Sequence, residues 1–298
     1  MGDARTLTLA LRGKWYGRYG VACCPAHGDR KPSLSLSDGG NGRLLLHCLA
    51  GCAFTEVLDA LRGLGLMEGS HTYAPPSAAE IAQRDAEDRA QAERAEKRAL
   101  ATWREALPIG GTPAEAYLRS RGIDCPLPDT LRFHPECWHP DAQRFPAMVA
   151  LIEGLPRAAI HRTFLRPDGG GKAEVEPAKA MQGAAAGGAV RLVQADGPLV
   201  VAEGIETALS LASGLIRRPA NIWAALSCAG VAALKLPDQR SRLTIAHDGD
   251  KAGHDAACKL AQRATSLGWA VSLLPAPVGR DWNDVLRGKG AGHERDPQ

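Results

Sequence analysis

The chain has 298 residues, 45% hydrophobic and 23% charged, with 36 Lys and Arg against 33 Asp and Glu for a net charge of +3. That composition suits a soluble chain of two or three small domains, and its mild basicity leaves any nucleic-acid binding to local clusters. No apolar run approaches a membrane span and the N-terminus lacks a secretory apolar region, so no membrane partner is expected and the compartment is read as the cytoplasm.

Eight cysteines in such a chain point to metal rather than disulfides, and four of them fall between residues 23 and 52. Cys24 and His27 are separated by two residues on one tight turn, and Cys48 and Cys52 by three on another. Between them run two strand-like stretches, Ser33–Ser37 and Arg43–His47, joined by the hairpin loop Asp38-Gly39-Gly40-Asn41-Gly42. Two facing turns that offer sulfur and imidazole suit a tetrahedral Zn²⁺. Cys23 and His47 are neighbours rather than ligands, because Cys24 pairs with His27 at the usual spacing. A helix from Phe54 to Leu64 is expected to pack on the hairpin through Val57, Leu58 and Leu61.

After Leu66 the texture changes. Residues 69–77, GSHTYAPPS, read as a flexible break. Residues 78–106 mix Ala with both charge signs and read as an exposed helix with a weak apolar face, hence a spacer between domains. From Pro108 the chain again looks globular. Thr112-Pro113 opens a short helix that closes at Arg121-Gly122. Strand-like runs follow at Thr130–His134, Ala147–Glu153 and Ala158–Arg166, the last two joined by a turn at Gly154-Leu155-Pro156. Gly169-Gly170-Gly171-Lys172 lacks the spacing of a phosphate loop and reads as a glycine-rich hairpin turn. His134, Cys137 and His139 resemble half a metal site without a second pair. No Walker A sequence occurs in these residues, so no ATP-driven motor is expected among them.

The last third carries the chemistry. Leu199-Val200-Val201 leads to Glu203 and Glu206, and Leu243-Thr244-Ile245-Ala246 leads to Asp248 and Asp250. Apolar runs alternating with helical stretches indicate a small parallel sheet, whose strand ends are where open α/β folds place their chemistry. Carboxylates gathered there repel one another unless a cation lies between them, and hard oxygen ligands suit Mg²⁺ or Mn²⁺. Glu203, Asp248 and Asp250 are therefore read as metal ligands and catalytic groups. Glu206 and Asp255 are read as surface or helix N-terminal charges. Asp281 and Asp284, in the segment Arg280-Asp281-Trp282-Asn283-Asp284, either begin a final helix or assist the metal site, with Asp284 taken as the catalytic auxiliary.

The ordered set AEGIET, then Asp248-Gly249-Asp250-Lys251-Ala252-Gly253, then Arg280–Asp284, resembles the Toprim domain, its primase branch in particular. The stretch CPAHGDRKPSLSLSDGGNGRLLLHCLAGC resembles the zinc-binding domain of bacterial and phage primases, departing only in the three residues between Cys48 and Cys52. The middle region resembles the part that precedes Toprim in primases and forms the other wall of the cleft. By that resemblance Arg162, Arg166, Lys172, Lys179 and Lys251 would meet nucleotide or template phosphate, and Arg30, Lys31 and Arg43 would contact template beside the zinc.

The resulting expectation is an α+β multidomain chain. It comprises a zinc-ribbon β module at 1–68, a charged helical linker at 69–106, a basic α+β region at 107–190 and a Toprim α/β domain with a small parallel sheet at 191–298. The resemblance implies a DNA primase of phage, plasmid or integrated-element type. Such an enzyme takes single-stranded DNA and NTPs, with structural Zn²⁺ and catalytic Mg²⁺ or Mn²⁺, and works beside a replicative helicase. Two alternatives stand: a Toprim nuclease that uses the same acids to cleave, and a non-catalytic single-stranded-DNA-binding protein of a mobile element.

Overall fold

The structure is a computed structural model that describes residues 3–39, 44–67 and 78–291. The chain is a mixed α/β protein that divides into two compact units, Met1–Gln91 and Ala92–Gln298. No helix among the described residues is long and apolar enough to cross a membrane.

The first unit contains α1 (Ala4–Ala10), β1 (Lys14–Trp15), β2 (Tyr19–Ala22), β3 (Leu34–Asp38), β4 (Leu44–Cys48) and α2 (Phe54–Gly63). The strands form one antiparallel sheet in chain order. Sequence reading anticipated the β3–β4 hairpin and α2, and missed α1, β1 and β2, whose apolar residues are too few to show a period. Part of the expected hairpin loop, residues 40–42, lies outside the described residues, as does Arg43. Alternation places Leu34 and Leu36 on the buried face, where Leu7, Val57 and Leu61 meet them. Asp3 caps α1 through the Thr6 N–H at 2.8 Å.

Next comes α3 (Ala78–Glu105), a single 28-residue helix. The spacer expectation fails for its C-terminal half. Ala99 and Trp103 pack against Val149, Leu151 and Ile160 of the second unit. Glu96 pairs with Arg157 at 3.1 Å and accepts the Ala158 N–H at 2.9 Å. Arg132 lies 4.3 Å over the Trp103 ring. Alanines that look like a weak apolar face leave room for the helix to sit close on a sheet, and Glu96 and Trp103 fix it there.

The rest of the second unit runs β5 (Leu107–Pro108), α4 (Pro113–Ser120), β6 (Leu131–Trp138), β7 (Arg144–Ile152), β8 (Ala159–Phe164) and β9 (Lys179–Gln182). It continues with β10 (Val190–Val193), β11 (Leu199–Ala202), α5 (Ile205–Ser210) and a π-helical turn (Leu211–Leu215). Last come β12 (Asn221–Ala224), α6 (Cys228–Ala233), β13 (Arg242–His247), α7 (Lys251–Ser266), β14 (Ala270–Pro275) and α8 (Trp282–Ala291). Strands β5 to β9 form an antiparallel sheet in chain order. The other sheet has the order β10-β12-β11-β13-β14, parallel except for β10. Strand β11 is buried on both faces: Val200 and Ala202 face one core, Leu199 and Val201 another. The second core is closed by Ala257, Leu260 and Ala264 of α7.

The first core also holds Leu131, Met148 and Ala159 of the antiparallel sheet, so the expected boundary at 190/191 cuts through one continuous core. The Gly169 turn stands as a tight reversal, with the Arg166 N–H bonded to the Gly171 carbonyl at 3.0 Å.

Candidate functional site

Strands β11 and β13 are parallel neighbours with Ala202 paired to Ala246, so Glu203 and Asp248 leave the sheet at the same end. Asp250 begins α7, where one carboxylate oxygen accepts the Gly253 N–H at 2.7 Å. The third acidic segment is tied in by backbone. The Gly249 N–H donates to the Arg280 carbonyl at 2.9 Å, and the Gly279 N–H to the Gly249 carbonyl at 2.9 Å. A Cβ at position 249 would lie 2.0 Å from the Pro277 carbonyl, so only glycine allows this approach. Gly204, by contrast, has ordinary room around it.

Asp248 is the electrostatic centre of the group. Its Oδ1 is buried and has no hydrogen-bond partner. Burial, then the charges of Glu203, Asp281 and Asp250, push its carboxyl up to about 6. A buried, orphaned carboxylate oxygen among converging negative charges fits a divalent cation, and an all-oxygen donor set suits Mg²⁺ or Mn²⁺. Glu203, Asp248 and Asp250 are the residues that would hold it.

Cys228, outside the four clustered cysteines, donates its thiol to Glu203 Oε2 at 3.0 Å. Burial and Glu203 push that thiol up to about 12, so it stays a protonated donor. It belongs to α6, whose start lies beside Glu203 only because β12 pairs with β11. No local signal could have shown this.

Asp284 and Asp281 open α8 reciprocally. The Asp284 N–H donates to Asp281 Oδ1 at 2.8 Å, and Asp284 Oδ2 accepts the Asp281 N–H at 3.4 Å. Asp284 therefore serves the helix start, and Asp281 is the member whose charge acts on Asp248. Lys251 pairs with Asp255 at 2.9 Å on the exposed face of α7.

Glu206 lies in the first turn of α5, as one of its two readings had it, but it is not a surface charge. Only 6% of it is exposed, and it faces the antiparallel sheet. Its carboxylate takes Lys179 at 3.0 Å, Lys172 at 3.6 Å and the Tyr117 hydroxyl at 2.8 Å. Burial opposes its charge, yet Lys179 and Lys172 hold it far below the usual carboxylate range. Arg121 donates to the Tyr117 hydroxyl at 3.2 Å and to Asn283 Oδ1 at 3.3 Å, and Asn283 in turn donates to Ser210 at 2.9 Å. The sequence placed Glu206 at a helix start, where exposure is usual, and gave no sign that a second sheet would cover it.

Lys172 and Lys179 thus come together, whereas Arg162 does not join them. Lys179 is paired across the strands with Thr163, so Arg162, one residue away, points to the opposite face. There it donates to the Trp138 carbonyl and lies over Phe164. Arg166 bonds Asp168 at 3.1 Å.

In the first unit, ligand atoms of Cys24, His27, Cys48 and Cys52 all lie within 4.8 Å of one another. His27 Nδ1 is 3.2 Å from Cys52 Sγ. Burial pushes the Cys24 thiol up to about 11. Cys48, against its burial, is drawn down to about 6 by the N–H groups of Cys52 and Ala50. A tetrad of three sulfurs and one imidazole fits Zn²⁺.

Asp29 supports this tetrad and was not anticipated. Its carboxylate accepts the Cys24 N–H at 2.8 Å and the Ser33 hydroxyl at 2.6 Å, and stands 3.7 Å from His27 Nε2. The carboxylate thus ties the Cys24 turn to the start of β3 and leaves a negative charge near the far nitrogen of the ring. His134, Cys137 and His139 form no such group among the described residues. His139 bonds the Pro177 carbonyl at 3.1 Å, and Cys137 sits in an apolar cluster.

Residues 198–292 match the Toprim domain, and residues 93–192 match a domain of unknown function, DUF7146. No curated protein matches the chain. Among solved structures, the zinc-binding and RNA polymerase domains of the Aquifex aeolicus primase are 16% identical, with 99% of this chain and 84% of that one covered at a TM-score of 0.39. A DNA primase domain from Pseudomonas aeruginosa is 16% identical, with 52% of each chain covered at a TM-score of 0.32. The chain therefore carries a Toprim domain at its C-terminal end, and distant primase structures are similar to it.

Proposed function

We propose that the protein is a DNA primase that joins nucleotides on a single-stranded DNA template, with NTPs as substrates. The observation that carries this is the strand-end cluster of Glu203, Asp248 and Asp250 inside a Toprim match, with Asp248 Oδ1 buried and unpartnered. In the proposed reaction a nucleotide 3′-hydroxyl attacks the α-phosphate of the next NTP; the new phosphodiester bond forms as the bond to pyrophosphate breaks. Glu203, Asp248 and Asp250 would hold divalent ions, which when bound would supply charge neutralisation for this transfer. Glu203, which accepts the Cys228 thiol, is assigned to receive the hydroxyl proton. Lys172 and Lys179 are assigned to the triphosphate, whose charge they complement. Asp281, rather than Asp284, is the auxiliary acid.

Template contact is assigned to the zinc-bearing unit. Tyr16 and Tyr19 stack with ring centres 5.4 Å apart, are 50% and 45% exposed, and have Lys14 beside them. Exposed aromatic rings flanked by cations suit stacking by the bases of a single strand. Arg30 and Lys31 add exposed positive charge on the same unit. A replicative helicase is the proposed partner.

Incubation with labelled NTPs, single-stranded DNA and Mg²⁺ or Mn²⁺ tests the reading. Short products that vanish in Asp248→Ala are expected. Metal-dependent cleavage of the DNA without NTPs would instead make it a nuclease. Salt-sensitive binding with neither reaction would leave a binding protein.

A further inference from the structure

Glu206 lies three residues beyond Glu203, yet its surroundings are different. Two ammonium groups and a phenol converge on one buried carboxylate. The lysines are not buried with it: the side chains of Lys172 and Lys179 keep 33% and 36% of their surface open. The cluster of two lysines and one carboxylate therefore carries a net positive charge and turns its cationic side outward.

A buried ion pair of this kind is weak grounds for stability, since desolvation offsets most of the attraction. Its geometric effect is firmer. The carboxylate fixes two flexible side chains from different segments of the antiparallel region at one point. We propose that Glu206 is a positioning residue that holds Lys172 and Lys179 together and aimed as a pair at the phosphates of a nucleoside triphosphate, without itself touching substrate. This rests on the proposed nucleotide chemistry and adds a residue to it.

The charged and titratable groups facing the cluster define what Glu206 must offset. Arg121, just past the end of α4, stands beside Tyr117, and Asp281 adds a negative charge there. His161 of β8 stays neutral, because burial and then Lys179 bring it down to about 4. Burial already lowers Lys172, and Lys179 and Arg121 lower it further, while Glu206 is the group that opposes them. Without the carboxylate, Lys172 would shed its proton at a lower pH. Loss of an opposite charge at this range shifts a neighbour by about one to three pH units.

Competitive labelling of lysine amines with acetic anhydride, read by mass spectrometry across pH, tests the role without requiring turnover. In Glu206→Gln, Lys172 is expected to label at a pH about one unit lower than in the wild type, roughly tenfold faster at fixed pH. Glu206→Asp keeps the charge and shortens the reach. It should restore the labelling profile while leaving the KM for NTP raised and kcat within about twofold. ATP should protect both lysines in the wild type.

Identical labelling of Glu206→Gln and wild type, with circular dichroism showing both folded, would overturn the positioning role. So would a Glu206→Asp enzyme with normal KM. Failure of ATP to protect either lysine would overturn the phosphate assignment. Absence of primer synthesis by the wild type would contradict the proposed function, while the labelling profiles still decide what Glu206 does to the lysines.

Discussion

The two candidate metal centres are built on opposite principles. In the Cys/His tetrad, ligand atoms from two turns of one short hairpin lie within 4.8 Å of one another, and Asp29 holds the Cys24 turn through its N–H. The acidic centre gathers carboxylates from three segments more than thirty residues apart in sequence, each held by something other than its neighbours. Asp250 caps a helix, Glu203 accepts a thiol, and Asp281 joins a reciprocal helix cap. A structural ion organises its ligands, so local spacing suffices; a catalytic ion needs acids kept together against repulsion, and a sheet must supply that rigidity.

Stripping the metals should separate the two centres most sharply. Chelation of zinc, or Cys48→Ser, is expected to remove on the order of 10 kcal/mol from the first unit, enough to unfold it. The α/β signal of the second unit should persist in circular dichroism and limited proteolysis. Removal of Mg²⁺ should unfold neither unit. If zinc loss leaves the first unit intact, the tetrad is not its organising element.

Asp248→Ala or Asp250→Ala should abolish primer synthesis and leave the fold intact, as measured by thermal melting. The Asp248 carboxyl has its folded-state value raised to about 6, so folding favours the protonated form. Its contribution to stability is present below the ordinary carboxylate range and disappears as pH rises through 6. Metal-free wild type should therefore lose more stability between pH 4 and pH 7 than Asp248→Asn does, and Mg²⁺ should reduce that difference. Equal pH profiles for the two would contradict the electrostatic description of the site.

Smaller effects mark the supporting contacts. Glu96→Ala should cost about 1 kcal/mol, because the part-buried Ala158 N–H loses its acceptor. Hydrogen exchange should then rise in the C-terminal half of α3. Asp284→Ala removes only the 3.4 Å return bond of the α8 start, so it should cost less than about 1 kcal/mol and spare synthesis. Loss of metal binding in that variant would return Asp284 to the catalytic set.

Legibility followed the range of the interactions. The candidate metal tetrad, the β3–β4 hairpin and α2 lie within a few dozen residues, and the spacing of Cys24, His27, Cys48 and Cys52 pointed to their convergence. The parallel sheet and its strand-end acids were visible because β11 and β13 are short apolar runs that end in carboxylates. Glu206, Cys228 and Arg121 depend on which strands pair and which sheet covers which helix. Glu206 was therefore read as a surface or helix N-terminal charge; it does begin a helix, but a second sheet buries it. Arg162 shows the same limit: the sequence grouped it with Lys172 and Lys179, but strand alternation turns it to the other face. The packing of α3 was hidden because alanine gives no apolar signal of its own.

The most direct test of the nucleotidyl-transfer centre is pyrophosphate release on oligo(dT) with a single NTP. With Mg²⁺ or Mn²⁺, wild type should release one pyrophosphate per nucleotide incorporated from ATP, none from CTP, and Asp248→Ala should release none from either. Pyrophosphate release that ignores the template, or nucleotides cut from the DNA in the absence of any NTP, would contradict it.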